Sequence, residues 1–293
     1  GMTQTDALNR LLASEIDAAD LGLVEQGYYK FGKLVYSRSL CSDPWKNYVL
    51  AEAATRITAT GGDLRTLLFV QGFLGTALGE LGRFEDAESV LRECMELAQR
   101  LNEPLLNNHV RVQYELVLLI GADPARLQEA LISAQCTVDN ERTNPLLRGE
   151  ALINLAAALQ RTGQLTQAET AVRSARGLLS QVPADHVLAT SVLVGILAGQ
   201  GRHVECAQAI QTELETIRRL EAGGYAALTF YCCAAEAYMA AGDTPAARAC
   251  IVEANALLLQ RAETIKDPAM RDSFLNRVQS QVRIQELARL WLD

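Results

Sequence analysis

Side chains that commonly do chemistry in proteins are few in this 293-residue chain, and they are scattered along it. There are seven cysteines and three histidines, and no C-x-x-C pair is present. One pair, His203 and Cys206, has a spacing that a metal ion can use, but no second pair lies near it in the sequence. This pattern favours free thiols that pack as small hydrophobic groups in a reducing compartment, and we predict no metal site and no cofactor.

Catalytic motifs are missing from the sequence as well. It contains no phosphate-binding G-x-x-x-x-G-K-[ST] loop, no G-x-G-x-x-G, no G-x-S-x-G nucleophile turn and no H-E-x-x-H. We expect His109, His186 and His203 to be surface or groove residues. Carboxylates such as Glu150 and Glu236 could share acid–base chemistry only if the fold brought them together, and a solvated or groove-facing charge is the favoured role. We therefore predict that the protein is not an enzyme.

The composition indicates that helices carry these residues. Hydrophobic residues make up 49% of the chain, aromatic residues only 5%, and there are seven prolines. The net charge of −8 opposes nonspecific binding to nucleic acid, and no 18-residue window is free of charged or turn residues. Gly1 before Met2 is typical of an expression-tag remnant, and no basic or apolar leader follows it. We expect an all-α cytoplasmic protein that binds neither nucleic acid nor a membrane.

The strongest pattern in the sequence is a repeat of about forty residues. Short turns, each centred on a glycine, follow apolar helices at spacings of 39, 42, 38 and 41 residues. The turn glycines are Gly82, Gly121, Gly163, Gly201 and Gly242. Each turn separates two helices with apolar residues at helical spacing, and glycine suits the left-handed or crowded backbone at the end of the first helix.

One unit illustrates the pattern. Its first helix carries a large–small pair and then a leucine at 74–78, and it ends at Gly82. A second helix opens at Phe84 and presents one apolar face, formed by Ala87, Leu91 and Cys94. Small residues at such positions let two antiparallel helices approach closely. The unit at 108–135 keeps the spacing but has an altered turn at 121–124.

These units resemble the tetratricopeptide repeat. That family's pattern is a large–small pair, an aromatic residue or leucine, a turn glycine, and then Ala-x-x-x-large-x-x-Ala. Its usual period is about 34 residues. The longer period here resembles helical repeats in the C-terminal regions of large bacterial signalling ATPases and transcriptional activators, and the resemblance covers residues 63–260. It implies a right-handed superhelical solenoid of antiparallel helix pairs, which we expect to form one elongated array without a compact centre.

The two ends of the chain do not fit the repeat. Residues 2–62 are predicted to form N-terminal capping helices at 4–17, 19–39 and 44–59. Six of the sixteen aromatic residues of the chain lie between positions 28 and 48. They either fill the open end of the first repeat, which we favour, or form a docking surface.

Residues 261–293 are predicted to cap the other end of the array. We expect a closing helix that covers the last repeat with four apolar side chains, namely Ile265, Phe274, Leu275 and Val278. The apolar tip at 290–292, which includes Trp291, either packs back or forms a homodimer contact.

Proline placement agrees with these helix boundaries. Five prolines follow an Asp, Asn or Thr that can cap a helix, as in Asp43-Pro44 and Thr244-Pro245. Pro104 and Pro183 are expected in the loops between repeats.

In the tetratricopeptide family the first helix of each pair lines a concave face that binds peptides. Carried onto this sequence, the groove positions are Phe69, Thr76, Glu80, Glu150, Ile153, Gln160, Arg161, Leu188, Ser191, Thr229, Glu236 and Met239. This face consists mostly of apolar and short side chains. It either binds a ligand or only allows a tighter curvature of the solenoid. It lacks the Lys and Asn residues with which some members clamp a C-terminal carboxylate.

Two functions are consistent with these features. The first is a non-enzymatic scaffold or regulatory module, of a bacterial signalling or transcription type, that binds a peptide or protein segment in its groove. The alternative is a small-ligand or peptide sensor that controls oligomerisation or a partner regulator.

Overall fold

The chain is all-helical in the parts that the computed structural model describes, which are residues 22–39, 43–121, 123–141, 144–220 and 224–292. These parts contain fourteen α-helices and no strand. In chain order the helices are α1 (Leu23–Ser39), α2 (Pro44–Gly61), α3 (Leu64–Glu80), α4 (Phe84–Arg100), α5 (Pro104–Gly121), α6 (Pro124–Asn140), α7 (Pro145–Arg161), α8 (Leu165–Leu178), α9 (Pro183–Gly199), α10 (His203–Leu220), α11 (Tyr225–Ala240), α12 (Thr244–Thr264), α13 (Pro268–Asn276) and α14 (Gln279–Leu292). The helix predicted at 4–17 lies outside the described residues.

Five consecutive helix pairs run from α3 to α12. Within each pair the two helices pack together, and the first helix also contacts the first helix of the next pair. The second helix of each pair packs against the first helix of the following one. This arrangement confirms the prediction of an all-α solenoid of antiparallel helix pairs.

Glycine turns end the first helices, as predicted from their spacing. Gly82, Gly163, Gly201 and Gly242 have φ between 73° and 81°, in the left-handed region that glycine adopts without steric cost. At the first of these turns the backbone N–H of Arg83 donates to the carbonyl of Leu78 at 2.9 Å, which satisfies an orphan carbonyl at the helix end. Gly121 differs: α5 runs through it, in keeping with the altered turn of that unit.

Prolines mark the helix starts more widely than predicted. The side chains of Asp43, Asp123, Asn144, Asp243 and Asp267 accept backbone N–H groups as N-caps. The cap of α12 is Asp243 rather than Thr244. Pro104 and Pro183 are also first helical residues, and the prediction that they lie in loops is wrong. The first helical position does not use its N–H, so proline is accepted there at no cost.

The described residues form two hydrophobic cores of unequal size. The large one extends from Leu68 to Leu287 through all five pairs and packs on small residues of the second helices, such as Ala87 and Ala168, which are fully buried. The small one joins α1, α2 and α3 and has four buried members, which are Leu34, Ala51, Ala54 and Val70. The N-terminal helices therefore pack through a core of their own.

The C-terminal segment forms two closing helices after α12 rather than one, because Asp267 and Pro268 start a new helix. Ile265, Phe274 and Val278 are fully buried, as their predicted covering role requires. At the tip, Leu290 is 71% exposed, whereas Trp291 and Leu292 pack partly buried against the large core.

The two ends of the array meet, so the expectation of an elongated array without a compact centre is wrong. Arg277 after α13 donates to Glu85 of α4 at 2.9 Å, and its guanidinium lies 5.4 Å from the Phe84 ring centre. A Cβ on Gly82 would come within 3.0 Å of the Ser273 carbonyl oxygen, so only glycine permits this approach. The solenoid curls until its C-terminal cap touches the first repeat.

The central cavity as candidate functional site

The curled array forms a partly open cavity of about 190 Å³ on its concave side. Seven helices contribute to the wall: α1, α2, α3, α5, α7, α9 and α11. The helix α1 packs mainly on α2, and it makes smaller contacts with α3 and, across the concave side, with α9. The N-terminal helix therefore forms one wall of the cavity.

The wall combines apolar and charged side chains. Phe73, Leu116, Leu146 and Leu188 supply apolar surface. The charged members are three carboxylates and one guanidinium, which are Glu80, Glu150, Asp185 and Arg38. Among the lining residues that the structure describes, Arg38 is the one basic side chain, so the carboxylates outnumber the cations by three to one.

Burial disfavours the charged form of these carboxylates. Burial and, second, the nearby charge of Asp185 raise the pKa of Glu150 to about 8, although Arg38 and the hydrogen bond from Gln113 act in the opposite direction. Burial likewise raises the pKa of Asp185 to about 6 and raises that of Glu80. Burial thus favours the protonated forms of the three carboxyl groups, and Arg38 opposes this at Glu80, Glu150 and Asp185.

Arg38 neutralises the cavity only in part. Its Nη1 lies 3.7 Å from Glu80 Oε1, which is an ion pair but longer than a hydrogen bond. The same nitrogen is buried and has no hydrogen-bond partner. The guanidinium lies 5.0 Å from the centre of the Phe73 ring, so the aromatic face supplies part of its environment.

A chain of polar side chains on α3 and α5 leads into the cavity. Thr76 donates to Gln113 at 2.6 Å, and Gln113 in turn donates to Glu150 across a long 3.4 Å contact. His109 lies beside them within 3.2 Å of the Phe69 carbonyl, and burial lowers its pKa to about 4. His109 is therefore neutral and buried between helices, and its expected place at the surface or groove is wrong.

The groove positions taken from the repeat pattern fall in several places. Glu80, Glu150 and Leu188 line the cavity. Ile153 and Ser191 are buried in the packing between helices.

Three further predicted positions are taken up by contacts between neighbouring first helices. Phe69 stacks beside His109 with ring centres 4.6 Å apart. Gln160 lies against Gly195 of α9, and Arg161 donates to the Leu119 carbonyl at 3.1 Å.

The predicted positions on α11 face the closing helix. Thr229 donates to Ser280 of α14 at 3.4 Å, and Glu236 forms an ion pair with Arg283 of α14 at 2.7 Å. Met239 is partly buried against the large core. Because α14 packs on both α11 and α12, it takes the place that the first helix of a sixth pair would occupy.

Sequence reasoning missed Arg38, Asp185 and Tyr225 among the lining residues. Asp185 lies one helical turn before the predicted Leu188, so the predicted face extended by one turn would have included it. Arg38 lies in α1, outside the register of the repeat, and no local signal places it opposite Glu80.

Two further features of the described residues concern metal ions and membranes. No group of three or more His, Cys, Asp or Glu side chains among them could hold a metal ion. In the same parts of the chain, every helix is too short or too polar to span a bilayer.

Comparison with known proteins identifies the repeats. Sequence models of the tetratricopeptide repeat match residues 72–110, 149–174 and 229–253. A crystal structure of a Rap protein complexed with competence and sporulation factor superimposes with a TM-score of 0.64 at 14% identity, covering 98% of this chain and 79% of that one. BtubC from P. vanneervenii gives a TM-score of 0.52 at 19% identity, covering 85% and 95%. At such identities the likeness shows the fold. No curated protein sequence matches the chain.

Proposed function

We propose that this chain, whose repeats match sequence models of the tetratricopeptide repeat, is a protein-interaction module that holds a short segment of a partner in its central cavity. The observation that carries this proposal is the cavity itself. First helices of successive pairs wall it, and its lining mixes apolar side chains with polar groups that are not fully satisfied. Such a mixture is typical of sites that fix the orientation of a ligand.

The size of the cavity restricts the segment. Sites for drug-sized ligands usually enclose about 300–1,000 Å³, and this one encloses about 190 Å³. It therefore accepts one or two side chains of the segment. The similar Rap structure is that of a complex with a factor, which supports a binding role for this fold.

A selection from a random peptide library tests the proposal. Selected peptides are measured by fluorescence anisotropy against the wild type, against Leu188→Trp, which fills the cavity, and against Val204→Trp as control. Val204 is 78% exposed on α10 and does not line the cavity. We expect wild type and V204W to bind equally and L188W to lose at least about tenfold in affinity, which corresponds to about 1.4 kcal/mol. Peptides that bind all three proteins equally, or a selection without binders, would refute the proposal.

The small-ligand sensor is the second candidate, and the small enclosed volume favours it. A metabolite panel measured by thermal unfolding tests it, because a ligand at 100 times its dissociation constant adds about 2.7 kcal/mol to stability. A stabilising metabolite whose effect is lost in L188W would support the sensor. If no metabolite raises the unfolding temperature and the selection yields binding peptides, the sensor is excluded and the interaction module is supported.

A further inference from the structure

The charge balance of the cavity points to the kind of side chain that it receives. We infer that the cavity is a subsite for a basic side chain of the partner, and that Arg38 of α1 occupies this subsite as an intramolecular substitute in the free protein. The inference rests on the proposed function for its peptide partner, but the subsite can be tested without one.

The carboxylates have unused capacity to accept hydrogen bonds. Glu80 is only 8% exposed and accepts no hydrogen bond from the described residues. Asp185 likewise accepts none among them, and Glu150 receives only the long contact from Gln113. A carboxylate held in a confined site gains most from charged donors, and a guanidinium offers five of them.

Arg38 uses this capacity poorly. Its Nη1 stays 3.7 Å from Glu80 and donates no hydrogen bond, although the atom is buried. A buried donor without a partner costs free energy, so this arrangement is under-satisfied on both sides. A guanidinium or ammonium on a partner that reached Glu150 and Asp185 would form the charge-assisted hydrogen bonds that Arg38 does not.

The helix that carries Arg38 is attached separately from the rest of the array. It packs on α2 and α3 through the small core around Leu34 and Val70, which is distinct from the large core. Its contact with α9 is slight. Elements with few contacts to the main core open at lower free energy, so α1 can withdraw while the five pairs remain folded.

The cation that fits is organic. The described residues provide no group of three or more ligands that could hold a metal ion, so the three carboxylates do not converge on a single small cation. They surround a space lined by the apolar side chains of Phe73, Leu116 and Leu188. An arginine or lysine side chain matches this lining, because its apolar stem and charged head suit the two kinds of surface.

N-acetyl-argininamide is the probe for this subsite, with N-acetyl-norleucinamide as the uncharged probe of similar length. Dissociation constants come from ligand-observed NMR titrations of the wild type and of Arg38→Met, which keeps an apolar stem over Phe73. We expect R38M to bind the arginine probe about tenfold more tightly than the wild type, since the internal competitor is gone. We expect no binding of the norleucine probe.

Two further variants control for folding and location. Val204→Met repeats the change to methionine on the outer face and should leave the affinity unchanged. Adding Glu150→Gln and Asp185→Asn to R38M should abolish binding, while circular dichroism melts verify that each variant is folded. Equal affinity in R38M and wild type, or equal affinity for both probes, would overturn the inference.

The two proposals fail in different ways. Peptides that need the cavity but contain no basic residue would overturn the basic-side-chain subsite and leave the interaction module standing. Argininamide binding without any peptide binder would support the subsite and overturn the interaction module.

Discussion

The outer and inner surfaces of the array use the same residue types in opposite ways. On the outer surface, Arg202 and Arg173 surround Glu169, and the hydrogen bond from Arg202, at 2.7 Å, is the largest cause that lowers the pKa of Glu169 to about 2. In the cavity, burial raises the pKa of Glu150 to about 8. A carboxylate therefore has full arginine partners on the outer surface, where repeats stack. In the cavity, where repeats face each other, a carboxylate lacks such partners.

This difference separates the ion pairs that link the repeats from the carboxyl groups that are available to a ligand. The outer pairs link the second helices of neighbouring pairs, as Arg126 of α6 does by donating to Glu88 of α4 at 2.9 Å. Such pairs are complete within the chain and need no further ligand. The carboxyl groups of the cavity lack a full set of partners, and buried titratable groups of this kind are typical of binding sites.

The largest expected effect on the unfolding free energy comes from the contact between the C-terminal cap and the first repeat. Gly82→Ala places a Cβ against the Ser273 carbonyl at a residue with φ of +74°, whereas Gly163→Ala meets nothing within 4 Å at φ of +80°. We expect G82A to cost about 3 kcal/mol of unfolding free energy and G163A about 1–2 kcal/mol, because both strain the backbone and only G82A also disturbs the closure.

Urea denaturation of both variants measures this difference. Equal destabilisation of G82A and G163A would show that the contact between the C-terminal cap and the first repeat contributes nothing to the fold.

A smaller effect, of opposite sign on the two surfaces, is expected from neutralising the carboxylates. The pKa of Glu150 is about 8 in the folded protein against an ordinary value of 4.5, so its contribution to stability is lost as the pH rises from about 4 to about 8. Glu150→Gln should therefore stabilise the protein at pH 8, by about 1–2 kcal/mol, and have little effect at pH 4.

Glu169→Gln is the matched outer variant. Its folded pKa is about 2, so its stabilising contribution is present above about pH 4.5 and is lost below it. We expect E169Q to destabilise by about 0.5–1 kcal/mol at pH 8, a small value because its partners are partly exposed. Thermal melts at pH 8 that shift in the same direction for both variants would break the comparison.

The smallest effect is expected at the exposed pair that joins the two ends. Hydrogen bonding from Arg277 lowers the pKa of Glu85 to about 2, but the Glu85 side chain is largely exposed and the pair is screened by solvent. Glu85→Gln should cost less than about 0.5 kcal/mol, and 1 M NaCl should remove the effect. A larger, salt-independent cost would assign the closure to this ion pair rather than to the Gly82 contact.

Features set by local chemistry could be predicted from the sequence. The turn at Gly163 follows from one residue that tolerates positive φ, and the start of α6 follows from Asp123 and Pro124. The buried alanines follow from the repeat itself. Each of these depends on neighbours within a few residues.

Features set by the curvature of the whole array could not be predicted. Asp185 and Arg38 meet because α9 and α1 face each other across the cavity, and Arg277 meets Glu85 across 192 residues of sequence. Small angular differences between successive pairs add up along the array. No local pattern records their sum, so the sequence did not show that α1 and α9 would line one cavity.

The release of protons on cation binding tests most directly whether a cation enters the acidic cavity. N-acetyl-argininamide is titrated into R38M at pH 7 by calorimetry in two buffers of different ionisation enthalpy. Glu150 is mostly protonated at this pH, and a bound cation lowers its pKa, so binding should release a proton. On the facing helices, the titratable groups that line the cavity with Glu150 are Glu80, Asp185 and Tyr225, and His109 lies beside Gln113, which donates to Glu150. Arg161, which is near Tyr225, is on the same helix as Glu150.

Among these neighbours, Asp185 has a pKa of about 6 and contributes a smaller share, and burial keeps His109 neutral because its pKa is about 4. Burial raises the pKa of Tyr225 well above this range and lowers that of Arg161. The account predicts release of about half a proton or more per bound probe, and release that disappears when Glu150→Gln is added. Binding without any proton release would contradict the claim that the cation enters the acidic cavity.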